Sequence, residues 1–218
     1  MVYHFAAMVG VEKCLFHPNH TLDTNLEGTI NVIRAMENWS VKKIVFASSC
    51  EIYGNQGGEL SEDNPPQPLS TYAVAKLASE EYIKCSDLDY TIVRLFNIYG
   101  KRQRDDFVIS KFLKQKAERK PLTIIGDGRQ TRCFTYIDDT VDGIVRAAGH
   151  QGTFNIGNTR AVSMTELADI IGGVKVFNYP NRKYTIVSRR ANINKAWRTF
   201  EWSPIVGLEE GIRLINGA

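Results

Sequence analysis

Apolar positions alternate between two periods along the first 100 residues. Val2-Tyr3-His4-Phe5-Ala6-Ala7 is a short apolar run of strand type, beginning one residue after the methionine. Residues 24–39 then place Leu26, Ile30, Ile33 and Met36 at spacings of four, three and three, which predicts a helix with one apolar face. Ile44-Val45-Phe46-Ala47 follows Val41-Lys42-Lys43 as a nearly unbroken run of β-formers, the signature of a strand covered on both faces in a parallel sheet. Ser48 to Ser70 is interrupted by Gly54, Gly57, Gly58, Pro65, Pro66 and Pro68 and reads as irregular. An Ala-, Lys- and Glu-rich stretch predicts a helix over 71–85, and Asp89–Phe96 a further strand ending in Asn97-Ile98-Tyr99-Gly100. Strand and helix in this alternation imply right-handed βαβ units around a parallel sheet.

Beyond residue 100 the rhythm changes. The pattern predicts a helix near 107–119, a strand over Leu122–Ile125, a turn at Gly126-Asp127-Gly128, strand into helix over Tyr136–Gly149 and a strand over Thr153–Ile156. Ser163-Met164-Thr165-Glu166 forms a capping box opening a helix to about Ile171, and Leu208–Ile215 reads as a last amphipathic helix. The expected architecture is α/β: an incomplete Rossmann-type parallel sheet over residues 1–100 and a smaller lobe, mainly substrate-binding, over 101–218.

Composition adds limits. Apolar residues at 43% and charged residues at 23% are ordinary for a globular chain. Net charge is +3, and the densest basic run, Lys101-Arg102-Gln103-Arg104, is followed at once by Asp105-Asp106. That argues against a nucleic-acid surface, which shows a broader basic stripe, and for a local anion site. The four cysteines show no C-x-x-C spacing and read as reduced, buried or half-buried thiols. His17-x-x-His20 lies in a Pro- and Asn-containing stretch read as a surface loop, not a metal site. No apolar run of 18 residues and no signal pattern occurs. A soluble, cytoplasmic protein without metal or membrane partner is expected.

The chemistry centres on Tyr72-x-x-x-Lys76, with Ser49 lying 23 residues upstream at the end of a parallel strand. Spacing of four puts the tyrosine and lysine one turn apart on the same helix face. Ligands of open α/β sheets bind at the carboxyl ends of the strands, where Ser48 and Ser49 fall. A phenol with its ordinary pKa of about 10 is a poor base at neutral pH. A lysine ammonium one turn away is expected to favour the phenolate and bring it towards the working range. With a serine hydroxyl to hold the reacting oxygen, the set suits oxidation of an alcohol as hydride leaves to a cofactor.

Tyr-x-x-x-Lys alone is a weak signal, and its surroundings strengthen it. VYHFAA at 2–7, TNLEGTINV at 24–32, ASSCEIYG at 47–54, STYAVAK at 70–76, VRLFNIYG at 93–100, PLTIIGDGRQTRCFTYIDD at 121–139, FNIG at 154–157 and NINKA at 192–196 appear in order. In these motifs the chain resembles the extended short-chain dehydrogenases that act on nucleotide sugars. The resemblance implies Tyr72 as catalytic base, Lys76 as its partner and a ligand of the nicotinamide ribose, and Ser49 as the hydroxyl orienting the sugar. It further implies NAD lying along Phe5, Ala6, Ala7 and Ser48, with Asn25 bracing the loop beneath. Asn97, Arg132 and Arg182 fall where that family holds the nucleotide diphosphate, a task that suits bidentate guanidinium groups. A homodimer through the helices at 24–39 and 71–85 is implied as well.

Departures from the family pattern bear on the reaction. Members open with strand–G-x-x-G-x-x-G–helix and two more strands before the strand equivalent to residues 2–6, and no such segment is present here. Gly54, Gly57, Gly58, Gly126 and Gly128 do not stand between a first strand and a helix, so they cannot present N–H groups to a pyrophosphate. The adenosine end of NAD is therefore expected to lack its pocket, and the strand at 2–6 to form a bare sheet edge. A separate chain supplying the segment, or a non-catalytic remnant that binds sugar nucleotide, are readings that follow. Cys50-Glu51 replaces the Asp-Glu pair of the dehydratases, which disfavours dehydration. Glu51 remains compatible with UDP-glucuronate decarboxylases and with plain epimerases. Cys133 and Asn192 replace aspartates of the family. UDP-glucose 4-epimerase-like chemistry is the leading expectation, with decarboxylation through Glu51 the alternative.

Overall fold

A computed structural model describes residues 1–178 and 187–217. Four strands form one parallel sheet in the order β1 (Val2–His4), β2 (Lys43–Ser49), β3 (Asp89–Leu95) and β4 (Gly152–Ile156). Ile44 through Ser49 are all buried, as the unbroken apolar run requires of a strand with neighbours on both edges and cover on both faces. On one face lie α1 (Gly28–Asn38) and α2 (Thr71–Lys84), whose Ile33, Met36 and Ile83 pack on Ile44, Phe46 and Ile92. On the other face α3 (Ile137–Ala147) and the helix Asn194–Phe200 pack Ile144, Ala147 and Ala196 against Val45, Val93 and Phe154.

Residues beyond 100 return to this sheet, since α3 and β4 both belong to its layers. The remainder forms a second core in which Ile109 and Phe112 of the helix Val108–Ala117 meet Leu122, Ile124, Leu167 and Ile212. Ser163 caps its helix as the motif predicts, its hydroxyl accepting from Glu166 N at 3.0 Å.

Several local expectations are corrected. The helix read over 24–39 begins as a wide π-turn, Asp23–Glu27, before α1. Its buried column near the start is polar, Thr21, Asn25 and Thr29, with Ile33 following; Leu26 and Ile30 are only half-buried. His17-Pro18-Asn19-His20 is not a loop, because Pro18 opens a short helix, Pro18–Leu22, where its missing N–H costs nothing. Cys14, Cys50 and Cys133 are buried free thiols, but Cys85, at the end of α2, is exposed.

β1 pairs only with β2 among the described residues. Tyr3 stands opposite Val45 on the face that α3 covers further along, yet it is 46% exposed, and Phe5 is 49% exposed. No helix among the described residues is long and apolar enough to cross a membrane.

Candidate active site

β2 ends at Ser49, and the chain turns at once into a single 3₁₀ turn, Cys50–Tyr53. Ser49 caps that turn, its Oγ accepting from Glu51 N at 3.2 Å. An oxygen that accepts there keeps its own proton to donate, and Ser49 lines the same cleft as the Tyr72 phenol. Gly54 closes the turn at φ 65°, where a Cβ would stand 2.0 Å from the Gln67 carbonyl oxygen, which is why the motif ends in glycine.

Tyr72 sits in the first turn of α2, which Ser70 starts by accepting from Ala73 N at 3.2 Å. One turn later Lys76 is buried, donates from Nζ to the Ala47 carbonyl at 2.7 Å and lies 4.6 Å from the centroid of the Phe46 ring. Burial pulls the Lys76 pKa down to about 8, with Glu80 pushing it back up.

The electrostatics of Tyr72 differ from the expectation. Burial pushes the phenol above its ordinary value, the Ser49 hydrogen bond opposes that, and Cys50 and Glu51 push the same way as burial. Lys76 Nζ lies 6.0 Å from the centre of the Tyr72 ring, and its one hydrogen bond goes to backbone. Desolvation outweighs a cation at that separation, so the lysine does not bring the phenol into the working range here.

These side chains line a cleft of about 600 Å³ together with Phe5, Ala7, Ser48, Glu51 and Asn97. A second cleft of about 570 Å³, lined by Asn97, Gln130, Arg132 and Phe134 among others, shares Asn97, Ile98, Tyr99, Gln103 and Phe107 with the first. Asn97 thus stands where the two meet. Its backbone is forced to φ 25°, and its Nδ2 is the one buried side-chain N or O atom without a partner among the described residues.

Of the other residues read from sequence, Ala6 is exposed and does not line the cleft. Ser48 lines it but commits its hydroxyl to Glu80. Asn25, delivered by the π-turn, accepts from Met8 N at 2.7 Å and donates to Met8 O at 2.9 Å, bracing the loop after β1. Asn25→Ala is expected to orphan Met8 N, leave Met8 O only the weak Cys14 thiol, and cost about 1–3 kcal/mol, read by urea denaturation. Arg182 lies outside the described residues. Arg189, which the sequence reading passed over, is 1% exposed and holds both Glu51 oxygens, one of them at 3.1 Å from Nη2. Its signal was faint, the first of two adjacent arginines, Arg189-Arg190. No group of three or more His, Cys, Asp or Glu that could hold a metal occurs among the described residues.

Known proteins resemble this chain in sequence and fold. A model of the NAD dependent epimerase/dehydratase family matches residues 1–157. The UDP-glucuronate 4-epimerase of Thermodesulfobacterium geofontis is 36% identical over 225 residues, spanning 97% of this chain and 70% of that protein. UDP-glucuronic acid decarboxylase 4 of Arabidopsis thaliana is 30% identical, spanning 98% of this chain and 52% of that protein. The crystal structure of UDP-glucuronic acid 4-epimerase from Bacillus cereus, in complex with UDP-glucuronic acid and NAD, superposes with a TM-score of 0.90 at 34% identity, covering 99% of this chain and 75% of that one. The chain belongs to the NAD-dependent epimerase/dehydratase family, enzymes built on a Rossmann-type parallel sheet.

Proposed function

We propose that this chain carries the catalytic and sugar-nucleotide portion of an NAD-dependent 4-epimerase of a nucleotide-linked hexose, with Tyr72 as the base. The observation that carries the reading is the convergence of Ser49, Tyr72 and Lys76 on one cleft, beside a buried amide nitrogen of Asn97 that has no partner among the described residues. A carbonyl or phosphoryl oxygen of substrate would supply the missing acceptor. Arg132 would hold the diphosphate in the adjoining cleft, a task the resemblance also gives to Arg182.

The residues fit the nicotinamide-ribose half of NAD. Phe5 and Ala7 offer a low wall, and Lys76 and Tyr72 offer donors for ribose hydroxyls. Bound NAD supplies the removal and return of hydride at C4, which takes the sugar through a 4-keto state, together with a positive charge that favours the phenolate. Tyr72 takes the 4-hydroxyl proton and gives it back. Ser49 holds the same oxygen, and Lys76 supplies positive charge at the base of the cleft.

A second reading, decarboxylation of a UDP-glucuronate through Glu51, draws on the Arabidopsis relative. Arg189 binding both Glu51 oxygens weighs against it, since a carboxylate tied to a buried guanidinium is poorly placed to shuttle a proton. Exposed Trp39, Val74 and Tyr82, on or beside α1 and α2, support a homodimer through those helices. The open edge of β1 supports pairing with a further segment, from a separate chain in one reading, that would carry the contacts for the adenosine end.

Incubating the chain and that segment with NAD and either UDP-glucose or UDP-glucuronate, and following products by NMR, tests the assignment. Inversion at C4 with all six carbons retained is expected. Carbon dioxide from UDP-glucuronate would sink the epimerase reading in favour of the decarboxylase. Binding of UDP-sugar with neither turnover nor retained NAD would assign the chain to a non-catalytic partner.

A further inference from the structure

One turn beyond Lys76 on α2, Glu80 is fully buried. Its carboxylate accepts from Arg94 Nε at 3.1 and 3.3 Å, from Arg94 Nη2 at 2.8 Å and from the Ser48 hydroxyl, with Lys84 Nζ at 3.8 Å. Arg94 is 4% exposed on β3. Its Nη1 donates to the Tyr53 hydroxyl at 3.0 Å and the Glu62 carbonyl at 3.2 Å, and Tyr53 donates to Asn155 Oδ1 on β4 at 2.7 Å. The network links α2, β2, β3, β4 and the turn after β2, all beneath the catalytic cleft.

A buried ion pair seldom adds net stability over apolar side chains of the same volume, so its placement calls for another reason. Tyr72, Lys76 and Glu80 recur every four residues on one helix face, and Ser48, which Glu80 anchors, is the neighbour of Ser49. The charged or titratable groups facing Lys76 are His4 from β1, Tyr72 and Glu80 from α2, and Arg94 behind Glu80 on β3. With the Tyr72 phenol raised and neutral at rest, Glu80 is the one among them that carries a standing negative charge to offset the lysine's burial.

We infer that Glu80, held by Arg94, is a positioning residue for the catalytic trio: it fixes Ser48 at the end of β2 and supplies the charge that keeps the buried Lys76 ammonium protonated. The inference rests on Lys76 being a working member of that trio. Burial drawing Lys76 down and Glu80 pushing it up fit this arrangement.

The test is an NMR titration of the full chain labelled with ¹³Cε-lysine, the Lys76 signal being assigned with Lys76→Met. Lys76 is expected to titrate below the exposed lysines in the native chain, and lower again by on the order of one pH unit in Glu80→Gln. The apolar double variant Glu80→Met/Arg94→Met is expected to restore thermal stability and still show the lowered Lys76 midpoint. It carries the same test where Glu80→Gln fails to fold. A native Lys76 midpoint in either folded variant overturns the inference and leaves the pair a purely structural one. Because the readout is a titrating lysine and not turnover, a failed epimerase assay leaves this result standing on its own.

Discussion

Replacing Tyr72 with phenylalanine is expected to cut C4 epimerisation by about 10²- to 10⁴-fold, the range a positioned acid–base group contributes. The ring keeps its packing, and the loss is one hydroxyl in the cleft beside Ser49, whose Oγ retains its bond from Glu51 N. Stability should therefore move by no more than about 1 kcal/mol, and UDP-sugar affinity, set in the adjoining cleft, should hold. The pH profile of the native enzyme follows from the same groups. With the phenol pushed above its ordinary value, turnover rises with pH as the phenolate becomes populated. With Lys76 pulled down to about 8, its positive charge is lost above that pH, and the rise levels off there. Kinetics from pH 6 to 10 on the native and Tyr72→Phe proteins check both points.

Arg94→Met is expected to be the most destabilising substitution at this site. It leaves the fully buried Glu80 carboxylate only Lys84 Nζ at 3.8 Å as a cation, and the Tyr53 hydroxyl without its donor. Removing one partner of a buried pair costs about 3–5 kcal/mol, against 0–1 kcal/mol for an exposed pair. Arg160, half-exposed and bonded to Glu209 and Glu166, provides the internal comparison: Arg160→Met should change the urea midpoint little. A loss at Arg94 as small as that at Arg160 would mean that Glu80 finds water or a proton in place of its partner.

Much of the frame was legible because it is written in local pattern. The unbroken apolar run at 44–47 gave β2 its place inside the sheet, and the four-residue spacing of Tyr72 and Lys76 put them on one face of α2. The family motifs led to Ser49, Asn97 and Arg132, all of which lie along the two joined clefts. What escaped depends on distant contacts. The helices Val11–Phe16 and Pro18–Leu22 are too short to show a period, and the two-residue strands Glu59–Leu60 and Arg190–Ala191 exist only because they pair with each other. Arg189 reads as surface until Glu51, 138 residues away in sequence, takes its guanidinium. The upward shift of Tyr72 was not legible because spacing reports proximity along a helix and says nothing of desolvation. Glu80 and Arg94 did leave a trace, a glutamate one turn past Lys76 and an arginine inside an apolar strand, which together ask for a buried pair.

The central claim is that Tyr72, aided by Ser49 and Lys76, drives reversible proton transfer at the 4-hydroxyl of a nucleotide-linked hexose while hydride leaves and returns at C4. Its most direct test runs the reaction in deuterated water with UDP-glucose or UDP-glucuronate, saturating NAD and the strand–glycine-rich–helix segment supplied in trans. Products are followed by proton NMR for the native and Tyr72→Phe chains. The account predicts the C4 epimer from the native chain with hydrogen, not deuterium, retained at C4, and almost none from Tyr72→Phe. Deuterium at C4, or equal rates from the two chains, would contradict it.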